Sequence, residues 1–247
     1  MKPAHGASIP LAGVLLLSSS AWLMAQTSQW SFDVAPYLWV AGAEVTTSLS
    51  STGSSDVDRF ETKISGGAML AAQARYRSVG VAFDFAWLQL ETEAIDPGRA
   101  YSAVNLKSDF IHTSAAVTYT LPTQGKFHAD ILAGARLWHV NEDLEFDSGL
   151  LPGFEKNGDK TWVDPIIGAN LRYDLSKNWF LTTKGTVGGF GVASDIAYEA
   201  FGGVGFRLTD WCSTTLGYRY LHEEYSRDQF NFELDTHGFL LGIEFHF

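Results

Sequence analysis

Apolar and polar residues alternate with a period of two along most of the chain. From Trp30 the even positions read Trp30, Phe32, Val34, Pro36, Leu38, Val40, and the odd ones Ser31, Asp33, Ala35, Tyr37, Trp39, Ala41. The same alternation runs through Val81, Phe83, Phe85, Trp87 and through Ala129, Ile131, Ala133, Ala135, Leu137. It recurs in Val163 to Tyr173, Ile196 to Phe206, Cys212 to Tyr220 and Phe239 to Phe247. Successive side chains of a strand point to opposite faces, so this pattern predicts strands and not helices. Ten are expected, over about 30–45, 66–77, 79–92, 103–120, 127–145, 160–174, 179–189, 195–208, 211–224 and 232–247. Residues 41–66 are the ambiguous stretch: a separate hairpin there makes the count twelve, and eight is the lower bound. Pro36 and Pro165 cannot donate to a ladder and predict local bulges. A change of parity between Val104/Leu106 and Ile111 predicts another.

These strands are longer than the roughly 5–6 residues usual in soluble sheets, and match the roughly 9–11 residues a tilted strand needs inside a bilayer. Short connections at 77–79, 121–126, 174–178 and 209–210 alternate with longer ones at 46–65, 93–103, 146–159 and 225–231; 189–194 is a short exception. Short turns at one end and longer loops at the other are the asymmetry of an outer-membrane barrel. The expected fold is therefore all-β: a transmembrane, antiparallel, up-and-down β-barrel, placed in the cell outer membrane. Trp30, Tyr76, Trp179, Trp211, Phe245 and Phe247 stand at strand ends, where rings favour the membrane interface.

Composition agrees. The chain has 247 residues, 46% of them hydrophobic, 14% aromatic and only 18% charged, with 24 glycines. Its single cysteine excludes a disulfide framework. A net charge of −11 leaves nothing basic to neutralise phosphates, so nucleic acid is excluded as a partner. Lys2, the apolar run Ile9–Leu17 and the small residue Ala25 have the order of a cleavable signal peptide. Residues 1–25 are read as that leader and 26–247 as one barrel domain.

Several segments carry a family resemblance: Pro36-Tyr37-Leu38-Trp39, Ala133-Gly134-Ala135-Arg136-Leu137-Trp138, Trp162 to Gly168, Gly188 to Asp195, and Leu216-Gly217-Tyr218-Arg219-Tyr220. The chain resembles a family of Gram-negative outer-membrane β-barrel proteins of porin-like, small-barrel type. That resemblance implies the barrel fold and no particular reaction. The aromatic strand ending at Phe247 resembles the terminal strand through which such proteins address the barrel-assembly machinery.

Parity assigns Asp84, Asp130, Arg136, Asp164, Arg172, Lys184, Glu199, Arg207, Arg219 and Glu244 to a lumen charge network. Similar depth on neighbouring strands predicts ion pairs Asp130–Arg172, Arg136–Asp164 and Glu199–Arg219, since buried charges survive only when paired or wetted. Inward Trp39, Trp138, Trp162 and Phe201 narrow the bore. Acidic clusters (Glu91, Glu93, Asp96; Glu142, Asp143, Glu145, Asp147, Glu155; Glu223, Glu224, Asp228) face outward from the loop side, towards membrane lipid and lipopolysaccharide. The expected function is a narrow passive pore for small solutes or a structural envelope barrel. The alternatives are a rim-catalysing hydrolase (an omptin-like protease or a lipid hydrolase) and a soluble periplasmic ligand-binding barrel. His139 and His222, near Asp143 and Glu223, have the composition of a base with an orienting carboxylate, but no omptin motif is present. Ser213 and Ser114 have no histidine placed beside them by the pattern. His128 and His246 point inward with no third ligand in view. The expectation is thus no enzyme, no cofactor and no metal.

Overall fold

A computed structural model describes residues 29–49, 58–95, 101–227 and 230–247. The leader assigned to residues 1–25 and the acidic residues Asp96 and Asp228 lie outside them. Ten strands follow in order: β1 (Trp30–Leu49), β2 (Asp58–Tyr76), β3 (Val79–Ile95), β4 (Tyr101–Thr120), β5 (Phe127–Ser148), β6 (Phe154–Asp174), β7 (Trp179–Gly188), β8 (Ile196–Arg207), β9 (Cys212–Arg227) and β10 (Phe230–His246). Each pairs antiparallel with its sequence neighbours, and β1 pairs with β10 to close the barrel. Closure runs from Asp33↔His246 to Leu49↔Phe230, finished by reciprocal bonds between Phe32 and Phe247 (N–H to O, 3.1 and 2.8 Å). In lipid this closure is obligatory, because an open edge would leave a row of unsatisfied peptide groups.

Residues 41–49 and 58–66 do not form a hairpin of their own. β1 and β2 simply continue through them, paired from Gly42↔Lys63 to Thr47↔Asp58, so the count is ten. Most of the residues read as long outer loops are strand as well: β5 and β6 run for 22 and 21 residues and rise beyond the height a bilayer covers. The bulge expected at Pro36 is present, as a register shift between Pro36 and Gly42. None occurs at Pro165. It lies one residue beyond the last β6–β7 pair, Ile166↔Gly188, where no partner on that side requires its donor. The shift expected between residues 106 and 111 falls earlier, between Tyr101 and Val104.

The barrel is turned inside out relative to a soluble protein. Val40, Phe239, Leu241, Leu216, Val117, Ile131 and Ile167 are exposed on its outer wall. A ring of aromatics edges that wall at the short-turn end: Trp30, Tyr76, Trp179, Trp211 and Phe247 are exposed, and Phe245 stacks on Trp211 at 6.2 Å. Trp30 contacts Tyr76 at 5.0 Å, across the β1–β2 pair. An apolar band bounded by such a girdle is the surface of a membrane-embedded barrel. One glycine shows how tightly the inner face is packed. A Cβ on Gly205 would sit 2.0 Å from the Phe180 ring, which lies over it from β7.

The outward assignment has a direct check. Leu241 is 49% exposed midway along the apolar run of β10. Leu241→Arg is expected to weaken folding into phosphatidylcholine vesicles by about 2–4 kcal/mol, the cost of a cation near the bilayer midplane. A neutral effect in a vesicle-folding titration would remove this residue from the lipid face.

Candidate functional site

The inner wall is ordered in three tiers, legible along single strands. From the short-turn end β9 presents Ser213, Thr215, Gly217, Arg219, Leu221, Glu223 and Tyr225. β5 presents His128, Asp130, Leu132, Gly134, Arg136, Trp138 and Val140. Polar groups begin each list, a charge stands in the middle, and large apolar groups follow.

The loop-side tier is an aromatic plug. Trp39, Leu88, Phe110, Trp138, Val140, Trp162, Leu221, Tyr225, Phe232 and Leu234 form one buried cluster. Ring centroids lie 5.3 Å apart for Phe110–Trp138, 6.3 Å for Trp138–Trp162 and 4.5 Å for Trp162–Tyr225. Phe110 on β4 also meets Phe232 on β10 at 6.4 Å, although three strands separate these two along the shorter arc of the barrel. That contact crosses the bore. Beside the plug, the segment between β7 and β8 folds inward. Its Ser194 is fully buried, donating its N–H to Asp164 (2.8 Å) and its hydroxyl to Asp164 (2.5 Å), in contact with Glu223 as well. Trp162 Nε1 donates to Ser194 Oγ at 2.7 Å and to Glu223 at 3.0 Å.

The middle tier is a charge knot. Glu199 bonds Arg136 through Oε2, and through Oε1 meets Arg219 at 3.0 Å and Lys184 at 3.2 Å. Arg219 reaches Asp84 at 3.4 Å, Tyr37 Oη at 2.9 Å and His112 Nε2 at 3.1 Å. Arg136 donates to Ser114 at 2.8 Å. Arg219 lies 4.9 Å from the Trp39 ring and Arg136 5.5 Å from Trp138, so the guanidiniums also cap the plug from below. Three basic side chains thus enclose two carboxylates. Arg136, Glu199 and Arg219 are buried, where loss of one partner leaves an uncompensated charge.

The short-turn tier encloses a cavity of about 680 Å³. Arg75 pairs with Asp130 at 3.0 Å, while Arg172 (3.2 Å) and Arg207 (2.8 Å) share Asp174. At the β1–β10 seam His246 Nδ1 lies 2.7 Å from Asp33, and its Nε2 lies 3.0 Å from Ser213 Oγ.

The ten residues assigned to the lumen all stand on the inner parity, but they form separate groups and not one network. Asp84, Arg136, Lys184, Glu199 and Arg219 make the knot. Asp130, Arg172, Arg207 and Glu244 line the cavity, and Asp164 holds Ser194. Glu199–Arg219 is an ion pair as expected. The other two expected pairs are corrected. Arg136 stands directly opposite Asp164 yet bonds Glu199, and Asp164 turns to Ser194. Asp130 opposes Asn170, not Arg172, and pairs with Arg75. Glu223 is buried in the lumen and does not belong to an outer acidic cluster. His222 and Glu223 are strand neighbours on opposite faces; His222 instead meets Asp235 at 2.9 Å on the outer wall. His139 meets Thr161 at 2.8 Å, so neither histidine forms the rim pair the sequence suggests. Ser213 does have a histidine beside it, on the neighbouring strand, but the serine has no exposed surface. Tyr37, His112, Ser194 and Asp174 were not marked by the pattern, since no single residue type or spacing flags a contact made across a bore.

No family model matches the chain, and no curated protein matches it in sequence. Among solved structures the outer-membrane protease OmpT from Escherichia coli is similar in fold, with a TM-score of 0.54 and 8% identity over 90% of this chain and 98% of that one. The translocator domain of the autotransporter NalP from Neisseria meningitidis matches with a TM-score of 0.46 and 12% identity, covering 88% of each chain. Neisserial surface protein A matches at 0.39 and 15%, over 88% of this chain and 97% of that one. At this identity the likeness to OmpT shows the fold alone and nothing of its chemistry.

Removing Glu199 should be costly. Glu199→Gln strands Arg136 and Arg219, and a loss of about 3–5 kcal/mol is expected. Asp130→Asn, in a partly buried pair lining the cavity, should lose less than Glu199→Gln, because solvent reaches and screens the pair. Urea unfolding of the refolded barrel followed by tryptophan fluorescence measures both, and equal losses would remove the knot from the centre of the stability account.

Proposed function

We propose that this membrane-embedded barrel is a non-conducting structural protein of the outer membrane, sealed on its outer side and open as a vestibule towards the periplasm. The observation that carries the reading is the contact of Phe110 with Phe232 across the bore, inside a cluster whose members are buried on every side. A passive pore needs a continuous wet path, and ten strands enclose far less room than the 16–18 that leave a wide channel. Here the path meets first the charge knot and then packed rings. The apolar wall faces outer-membrane lipid, and the strands that rise above it stand among lipopolysaccharide headgroups. The strand ending at Phe247 serves as the address for the barrel-assembly machinery. The reading is also non-enzymatic: His139 meets Thr161, His222 meets Asp235 and not the Glu223 beside it in sequence, and Ser213 is covered.

Planar-bilayer recording tests the seal. The refolded wild-type barrel should give no regular unitary conductance, whereas Phe110→Ala combined with Trp138→Gly should open steps in the same bilayer. Reproducible steps from the wild type overturn the proposal in favour of a pore. A peptide- and phospholipid-hydrolysis screen should find no turnover; activity lost in His139→Ala or His222→Ala would overturn the non-enzymatic reading.

A further inference from the structure

The vestibule carries a group of donors that neither the plug nor the charge knot uses. His246 and Glu244 stand two residues apart on β10 and share its inner face. Asp33 comes from β1 and Ser213 from β9. Asp33 Oδ1 sits 2.7 Å from His246 Nδ1, a contact that calls for the proton on Nδ1. Nε2 then carries a lone pair, which accepts from Ser213 Oγ at 3.0 Å and lies 3.9 Å from Glu244 Oε2. Ser213 Oγ and Glu244 Oε2 are 3.4 Å apart.

These three separations define a triangle whose centre lies about 2.0 Å from each corner, and metal–donor bonds of zinc to imidazole nitrogen and carboxylate oxygen are roughly 2.0–2.2 Å. Two further observations favour a cation. Among the described residues, the cationic partner within ion-pair distance of Asp33 and of Glu244 is the one imidazole of His246, so two carboxylates share at most one positive charge. The guanidiniums nearby are engaged elsewhere: Arg172 and Arg207 on Asp174, and Arg75 on Asp130. His246 and Glu244 are also reached from the cavity, their side chains 27% and 33% exposed, so an ion has an entry path and room for water ligands.

We infer that Ser213, Glu244 and His246 form a divalent transition-metal site of the zinc class at the barrel's closing seam, with Asp33 as the carboxylate that orients the histidine. Nitrogen with oxygen donors suits zinc, cobalt or nickel better than calcium, which takes oxygen ligands. The ion ties β9 to β10 directly, and through Asp33 it ties β10 to β1 where the sheet closes.

Zinc titration of the chelator-treated, refolded barrel tests this, read by competition with a chromophoric chelator. One zinc per barrel is expected. His246→Gln and Glu244→Gln should each weaken binding by at least tenfold. Asp33→Asn leaves all three donors in place and should cost about 10–100-fold, the effect of losing a carboxylate behind a ligating histidine. His128→Gln, a histidine of the same mouth outside the triangle, should leave affinity unchanged. Zinc should raise the thermal midpoint of the wild type and not of His246→Gln, a readout that needs no activity. Substoichiometric binding, affinity insensitive to both Asp33→Asn and His246→Gln, or calcium binding as tightly as zinc would overturn the site.

Discussion

Everything in this molecule depends on the requirement that peptide groups inside a bilayer be paired within the protein. A sheet meets that requirement only by closing on itself, and closure fixes the rest. Once β1 meets β10, each side chain belongs either to lipid or to the bore. The period-two alternation, which in a soluble sheet separates water from core, here separates lipid from lumen. The wall carries Leu216, Phe239 and Leu241 because lipid accepts them; the bore then receives what lipid cannot accept, including Arg136, Glu199 and Arg219.

Filling the bore raises the second constraint, that buried charge needs a partner. The barrel is narrow enough for an arginine to cross it, and this decides which partner each charge takes. Arg136 on β5 passes over the directly opposed Asp164 to reach Glu199 on β8. Arg219 on β9 reaches Asp84 on β3 and Tyr37 on β1. Pairing across the bore ties distant strands together, as the rings of Phe110 and Phe232 do one tier higher. The knot and the plug are thus two chemical versions of one device: side chains long or broad enough to span the lumen hold the wall from within.

This explains what could be read from the sequence. Parity is a local property, so the face of the ten charges assigned to the lumen was legible, as was the closed barrel of ten strands; Glu223, counted with an outer acidic cluster, was the exception. Partnership is not local. Register, tilt and the width of the bore decide it, and two of the three ion pairs inferred from depth along neighbouring strands were therefore wrong. Strand ends were misplaced for a related reason. The outer halves of β5 and β6 contain Asp147 and Glu155, residues that read as loop, yet a ladder above the membrane tolerates acidic side chains because both of its faces meet water there. The contact of His246 with Asp33 was not legible in the sequence because Asp33 lies at the far end of the chain, and only closure brings the two together.

The two ends of the bore therefore answer different demands. On the loop side packed rings exclude water, and the Trp162 N–H among them is satisfied by Ser194 and Glu223. On the short-turn side the wall is wetted, and acids, histidines and guanidiniums gather where solvent screens them. The seam between β1 and β10 runs through both regions. Above, it is held by packing, with Trp39 and Leu234 inside one cluster. Below, near its terminus, the rings turn outward to lipid, and the inner face offers Asp33, Glu244 and His246 beside the small residues Ser31, Ala35 and Gly242. The strand pair that must form for the barrel to exist is thus apolar at one end and polar at the other. The polar end has no packed core to hold it, so its cohesion rests on the reciprocal Phe32–Phe247 bonds and on the contacts His246 makes across the seam.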